Sequence, residues 1–482
     1  MQTKNSFLKL LLVIFILTLY RFIVLYNSNI NLYVDEAYYW GWSRYFDFGY
    51  YSKPPVIAWV ISIFTSICGN GVFCVKFPAL VFYPLTTVII YFITKELFDE
   101  RKAFWAGVVF ITLPAVSMSS MIISTDVVFL FFWALTLLLF IKALKTNKDF
   151  YWILVGFSGG FGLLSKYTMI IFPLSVFVYL LFSKTDKKHL KNPKLYMSMI
   201  LAALTYLPNL LWNYRHHFVT FTHTKEISEI DRNLFHFNKM FDFLGAQFGV
   251  FGLIFFAVLL FLVFKPHLKD DRYKLLYSFT YIFLGVITLQ SFLSRAFANW
   301  AAPTYIAATI LVSAYLVKKN RLLLLKIGII INLVLAIFLY HYHFIAKTFN
   351  IELTRKTDPY KRVLGWDKLA NEVSKVLKKY PNARLLSDSR KVMAELIYYI
   401  KPHPFDAGYW NPQKELKNNY ELMIDLNRYK SKDFIYITKK SSIDNMRKYF
   451  KDVKKIRKID IKLYKDFSRD YYLYFLQDFK GY

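Results

Sequence analysis

Long apolar runs separated by short charged ones fill the first 340 positions, and beyond about 345 the pattern changes to mixed polar and apolar residues. Windows with little or no charge cover 10–20 with 22–30, 77–94, 103–123, 127–141, 151–165, 167–183, 195–214, 243–264, 275–294, 296–317 and 322–340. Several approach the roughly 20 residues a helix needs to cross a bilayer. They predict eleven membrane-spanning helices. The first window follows Lys4 and Lys9 as a secretory leader would. No small-residue cleavage site follows it, however, and hydrophobicity continues past Arg21, so it reads as an uncleaved span. Segment 55–68 is apolar but short for a crossing and fits a re-entrant or interfacial helix.

The tail predicts a separate small α/β domain. Trp366, Leu369, Ala370, Val373, Val376 and Leu377 recur at helical spacing. Arg384-Leu-Leu-Ser and Phe434-Ile-Tyr-Ile-Thr read as strands, and Ser441-Ser-Ile-Asp reads as the hydroxyl-capped start of a further helix. The expected division is therefore 1–345, a transmembrane bundle with interfacial helices, and 346–482, a soluble α/β domain.

Charge adds direction. The 482 residues carry 62 Lys+Arg against 32 Asp+Glu, a net +30, yet 56% are hydrophobic and the mean hydropathy is +0.32. That balance excludes a disordered or fibrous chain. Basic residues fall in the loops between apolar windows: Lys95 and Arg101, Lys142 and Lys148, Lys187 and Lys191, Lys269 and Arg272, Lys318 and Arg321. If the N-terminus is cytoplasmic and 55–68 does not cross, every one of those loops is cytoplasmic, which is the positive-inside pattern. The excess thus belongs to membrane topology, and no nucleic-acid partner is expected. Residues 31–76, 215–242 and the tail then share the outer face. Chemistry is expected there. Cys68 and Cys74 are too few for a disulfide framework or a cysteine metal site. One bridge between them is open to the chain in an oxidising compartment, but two buried free thiols are the expectation.

Four patches carry candidate chemistry. Asp35-Glu36 follows the first span and precedes an aromatic stretch. It supplies either a general base at the lipid surface or an acidic helix start. Lys53, held by Pro54 and Pro55 after Tyr51, is placed to meet a phosphate or to snorkel toward headgroups. Asp126 and Lys166 are ionisable residues at outer ends of spans, a functional pair or a structural ion pair. The loop after the seventh span offers Arg215, His216, His217, His223, Lys225, Glu226, Glu229, Asp231 and Arg232. Phosphate binding suits its cations, a divalent metal stays open for its histidines, and no metal ligand is assigned. Arg295 and Asn299 stand at the mouth of the tenth span, Asn299 on its buried side. There is no P-loop or dinucleotide motif, so nucleotide hydrolysis is not expected.

These patches in this order resemble the aminoarabinose transferase and protein mannosyltransferase group of membrane glycosyltransferases, glycosyltransferase family 39 in the broad sense. The carrying stretches are Asp35-Glu-Ala-Tyr-Tyr-Trp, Tyr51-Ser-Lys-Pro-Pro, Ser124-Thr-Asp126, Ser165-Lys-Tyr-Thr, Leu207-Pro-Asn-Leu-Leu-Trp-Asn213, Ala298-Asn-Trp-Ala-Ala-Pro303 and Asp358-Pro-Tyr-Lys-Arg-Val-Leu-Gly-Trp366. The resemblance covers nearly the whole chain. It implies the GT-C fold, a polyprenyl-phosphate-linked sugar as donor, and a lipid or glycan acceptor such as lipid A, with transfer on the extracytoplasmic face and membrane lipids as surroundings. By the same analogy Asp35 is the catalytic acidic residue of the first loop, Lys53 a contact to the lipid phosphate and Asp126 a second acidic member, on the periplasmic side of a bacterial inner membrane. The patches themselves add Glu36 to the acidic group and Tyr51, Lys166, Arg215, His223, Lys225, Arg295 and Asn299 as expected substrate contacts. Aminoarabinose transferases commonly carry Glu before the Lys-Pro. Here it is Ser52, which points away from a metal and from that sugar. The expected reaction is inverting, an acceptor oxygen attacking the anomeric carbon as polyprenyl phosphate leaves. A lipid-linked-sugar flippase is the rival reading, but it would place its charges near mid-span rather than at one face.

Overall fold

The computed structural model describes residues 3–228 and 235–482, and Glu229, Asp231 and Arg232 lie outside the described residues. The chain forms two compact units. One comprises Met1–Asn27, Lys53–Val60 and Lys76–Tyr342, the other Ser28–Ser52, Ile61–Val75 and His343–Tyr482.

The first unit is helical, and all eleven apolar windows carry helix. Among the described residues six helices are long and apolar enough to cross a membrane: Asn5–Tyr26, Val72–Leu97, Thr125–Thr146, Pro193–Arg215, Asp271–Leu293 and Leu322–Tyr340. Two windows read as continuous are broken. In window 103–123 the helix stops at Thr112 and restarts at Pro114, because proline has no N–H to give and its ring blocks the preceding turn. The break leaves carbonyls without helical partners, and the buried guanidinium of Arg21 meets one of them, donating to the Ile111 carbonyl (2.6 Å) and to Ser117 Oγ (2.9 Å). In window 243–264, Gly252 sits at φ 94° between helices Phe237–Phe251 and Leu253–Phe264. A Cβ there would lie 2.6 Å from the Asn332 side chain, so the close approach requires glycine. Along Thr3–Tyr26, Leu8, Leu12, Phe15, Ile16 and Ile23 stay exposed, the outward apolar face expected of a lipid-contacting helix.

Segment 55–68 folds as helix Val56–Cys68, about 20 Å at 1.5 Å per residue and short of the roughly 30 Å hydrocarbon core. Its end corrects the expectation of free thiols, since Cys68 and Cys74 form a disulfide with Cα atoms 5.9 Å apart. A six-residue separation lets the loop at Gly69–Gly71 bring the two Cβ atoms together.

The second unit holds a five-stranded mixed sheet in the order β2-β1-β3-β5-β4, from β1 Ala383–Ser387, β2 Gly408–Tyr409, β3 Asp433–Thr438, β4 Phe450–Tyr464 and β5 Phe467–Phe479. β1 runs parallel to β2 and β3, while β5 is antiparallel to β3 and β4. Leu386, Phe434, Tyr436, Leu476 and Phe479 fill one core with Trp410 and Met446. The predicted helix begins at Trp366 and ends at Leu377. The helix expected after Ser441 is instead a short 3-10 turn, Asp444–Tyr449, and Ser442 turns its hydroxyl to the Asp444 carboxylate rather than capping a backbone amide.

Candidate active site

Helix Val34–Trp42 bears the first patch. It was expected to be a surface-lying aromatic stretch. Instead seven of its nine residues are buried, because the rings pack on helix Arg390–Tyr399 and the turn after it. Trp40 stacks edge-on against Tyr398 at 4.8 Å and lies 4.6 Å from His403, while its indole N–H donates to Asn70 Oδ1 (3.0 Å). Glu36 is fully buried, and its Oε2 accepts from the Tyr33 amide (2.7 Å). That bond ties down the first turn, and it places Glu36, expected in the catalytic group, in the interior at the helix start. Tyr51, expected to touch substrate, is also buried. Its amide donates to Asn419 Oδ1 (3.0 Å) and its hydroxyl to the Leu416 carbonyl (2.9 Å), which anchors the segment before Lys53.

Asp35 is the exception on this helix. Its side chain keeps 41% of its surface open, and one oxygen accepts from Arg390 Nη1 at 2.8 Å. The Arg390 guanidinium also lies over the Tyr38 ring, 4.9 Å from its centroid. Tyr38 is one turn along the helix from Asp35, so the two present a single face to Arg390. Burial works against the guanidinium charge, and the neighbouring Asp35 carboxylate more than restores it. Burial likewise pushes the hydroxyls of Tyr38 and Tyr409 above the ordinary phenol value, Tyr409 to about 12, so both stay protonated at neutral pH. Sequence reasoning missed Arg390, although a signal existed. It is the first residue of its helix, where the positive end of the macrodipole disfavours a cation unless an anion stands in front of it.

The first unit brings three other expected residues together. Asp126 lies in the first turn of helix Thr125–Thr146, favoured there by the helix dipole. Its Oδ1 meets Lys166 Nζ at 2.5 Å and its Oδ2 accepts from Asn299 Nδ2 at 3.0 Å. Lys166 is delivered by the extended residue between helix Asp149–Ser165 and turn Tyr167–Ile170, and Asn299 by turn Ala298–Ala301. The two charged side chains are 10% and 15% exposed. Asn299 is exposed rather than on the buried side, because its short turn projects it over the carboxylate from outside.

The remaining expected residues are placed singly. Lys53 is half-buried ahead of Pro54. Arg215 ends helix Pro193–Arg215 and is exposed. His223 and Lys225 lie on helix Val219–Ser228, with His223 Nδ1 4.0 Å from Glu226. Arg295 lies 5.8 Å from the Phe297 ring. Buried Asn213 accepts the Phe218 amide on its backbone carbonyl (2.7 Å) and fixes the turn that leads into that helix. Nearby, an apolar cavity of about 430 Å³ is lined by Phe172, Val176, Leu195, Met199, Ala202 and Tyr206. No group of three or more His, Cys, Asp or Glu side chains among the described residues has the geometry to hold a metal.

Residues 52–212 match the family described as dolichyl-phosphate-mannose-protein mannosyltransferase. Over 407 residues the chain is 30% identical to the lipid A galacturonosyltransferase RgtD of Rhizobium johnstonii, covering 83% of each chain. In fold it is similar to ArnT from Cupriavidus metallidurans in the apo state, with a TM-score of 0.65 at 13% identity over 98% of both chains. ArnT from the same organism solved with undecaprenyl phosphate gives a TM-score of 0.64 at 14% identity over 97% of both.

Proposed function

The chain belongs to the family of GT-C membrane glycosyltransferases that contains the Rhizobium relative RgtD, and on that premise we propose that it moves a hexuronic acid from a polyprenyl-phosphate donor to a lipid A-type acceptor on the extracytoplasmic face. The observation that carries the assignment of roles is the contrast in how two carboxylates are held. Both oxygens of Asp126 are engaged, by Lys166 and Asn299, whereas Asp35 is partly open and has a single hydrogen bond among the described residues. Asp35 is therefore the group able to accept a proton from an incoming acceptor hydroxyl. Asp126 holds Lys166 and the 298–301 turn in place.

Polyprenyl phosphate is a good leaving group once its charge is met, so the work of the protein is to orient both substrates and stabilise negative charge. Lys53, Arg295 and the cations of the 215–225 segment supply that charge in this reading. Where the acceptor is itself a phosphate no base is needed, and Asp35 then supports the positive character that develops at the sugar carbon. The apolar cavity offers a prenyl chain a lining free of charge. The Cys68–Cys74 disulfide supports an extracytoplasmic location for its loop, because such bonds persist in oxidising compartments.

The test is transfer by the purified full chain from polyprenyl-phosphate galacturonate to lipid A, read by mass spectrometry of the product. Asp35→Asn should lower the rate by roughly 10²–10⁴-fold with a hydroxyl acceptor, the usual worth of a general base. Full transfer by a folded Asp35→Asn sample removes Asp35 from the mechanism, and a chain that only moves intact donor across vesicles makes it a flippase.

A further inference from the structure

A uronic acid donor poses a problem that a neutral sugar does not. It brings a carboxylate on the sugar ring, and that carboxylate must approach a site already carrying the Asp35 charge. Like charges at such range repel strongly where water is partly excluded. A uronate-handling site therefore needs a cation beside the catalytic carboxylate, one with hydrogen-bond donors to spare.

Arg390 has these properties. Its Nη1 donates to Asp35 Oδ1 at 2.8 Å, the one hydrogen bond of its guanidinium among the described residues. Four of the five N–H donors of the fork remain for another acceptor. The guanidinium lies over the Tyr38 ring, 4.9 Å from its centroid. Tyr38 is itself fixed, buried to 1% exposure with its hydroxyl accepting from the Asn419 amide (2.5 Å). A third of the Arg390 side-chain surface and two fifths of that of Asp35 are open. A partly open pair joined by one hydrogen bond costs less to rearrange than a closed one. A planar fork also matches a carboxylate in a paired arrangement that a lysine cannot provide.

We propose that Arg390 recognises the carboxylate of the donor sugar, giving it a paired hydrogen bond while shielding it from Asp35. The proposal rests on the uronate reading of the donor. In the free protein Arg390 neutralises Asp35. With donor bound, the fork turns part of its donors to the sugar, and the Asp35 carboxylate is left to face the acceptor.

Binding to the full chain in detergent separates the sources of affinity, with three probes: polyprenyl-phosphate galacturonate, polyprenyl-phosphate galactose and bare polyprenyl phosphate. Arg390→Gln should weaken the uronate probe about 100-fold, the scale of losing one partner of a desolvated charge pair. The other two should stay within about threefold, which also certifies the fold of the variant, and Arg390→Lys should fall between. Equal weakening of all three probes overturns the proposal, because Arg390 would then act on the phosphate or on the architecture, while the uronate reading would survive. A wild-type chain that binds galactose and galacturonate donors equally well, and transfers only the neutral sugar, overturns both.

Discussion

Asp126 and Asp35 are both carboxylates in the first turn of a helix, and both are paired with a cation, yet the two pairs are built to opposite ends. Asp126–Lys166 is nearly closed to solvent and both carboxylate oxygens have donors. Asp35–Arg390 is half-open and leaves one carboxylate oxygen and most of a guanidinium unused among the described residues. A closed pair is expensive to disturb, because removing one partner strands the other charge away from water. An open pair loses little, since water replaces what the partner gave. Helix start and charge pairing are shared, and solvent access and the number of donors on the carboxylate are what separate the two; in the proposed function that difference divides a carboxylate that holds structure from one placed to react.

The largest expected effect breaks the closed pair. Lys166→Ala should destabilise the folded chain by about 3–5 kcal/mol, the penalty for an uncompensated buried charge, read as a loss of thermal stability in detergent. The double variant Asp126→Asn with Lys166→Met removes both charges and should recover most of that loss. If the single variant costs no more than a surface change, the pair is solvated in the working protein and the contrast fails.

A third carboxylate sharpens the comparison by placing burial in the other unit. Asp358 is closed to solvent, where its Oδ2 accepts from His343 Nε2 (2.8 Å) and the Tyr464 hydroxyl, and its Oδ1 from the Tyr360 amide (2.7 Å). Burial alone would push its carboxyl up, but these hydrogen bonds hold it below the ordinary value of 3.8. A folded value below the unfolded one means a stabilisation that is complete above 3.8 and is lost as the pH falls through the folded value. Asp358→Asn should therefore flatten the acid end of the stability curve followed by intrinsic tryptophan fluorescence. An unchanged acid limb would show that Asp358 titrates alike in both states.

Most of the bundle was legible because crossing a bilayer demands long apolar runs, and each run carries helix. The breaks at Pro114 and Gly252 were less so, since hydrophobicity alone is indifferent to a backbone turn inside a window. In the tail, Arg384–Ser387 and Phe434–Thr438 announce themselves as apolar strands because β1 and β3 lie inside the sheet. β4 escaped notice for the opposite reason. It is an edge strand with one neighbour, and Lys451, Lys454, Lys455, Arg457 and Lys458 erase any apolar alternation. Of the site, Asp126, Lys166 and Asn299 were all named from sequence, and the structure joins them. The partner of Asp35 was not named, because Arg390 lies 355 positions away: a cation at a helix start signals that an anion stands before it, but local pattern does not say which one. Glu36 and Tyr51 sit beside real candidates in sequence, yet period-3.6 geometry and a turn point them inward.

The smallest effect is the most discriminating. Asp35→Asn removes the charge that faces Arg390 and keeps the shape of the side chain, so in the folded chain it should cost roughly 0–1 kcal/mol, the range measured for open ion pairs. The same substitution at Asp126 leaves Lys166 nearly buried without its counter-charge and should cost several times more. Measured side by side in one detergent, the two substitutions compare a nearly closed carboxylate with two donors against a partly open one with a single donor among the described residues. A large stability loss for Asp35→Asn would mean that Arg390 is locked to Asp35 rather than lent to it. The fork could then not turn toward a sugar carboxylate, and any fall in transfer caused by the variant would report unfolding instead of lost chemistry.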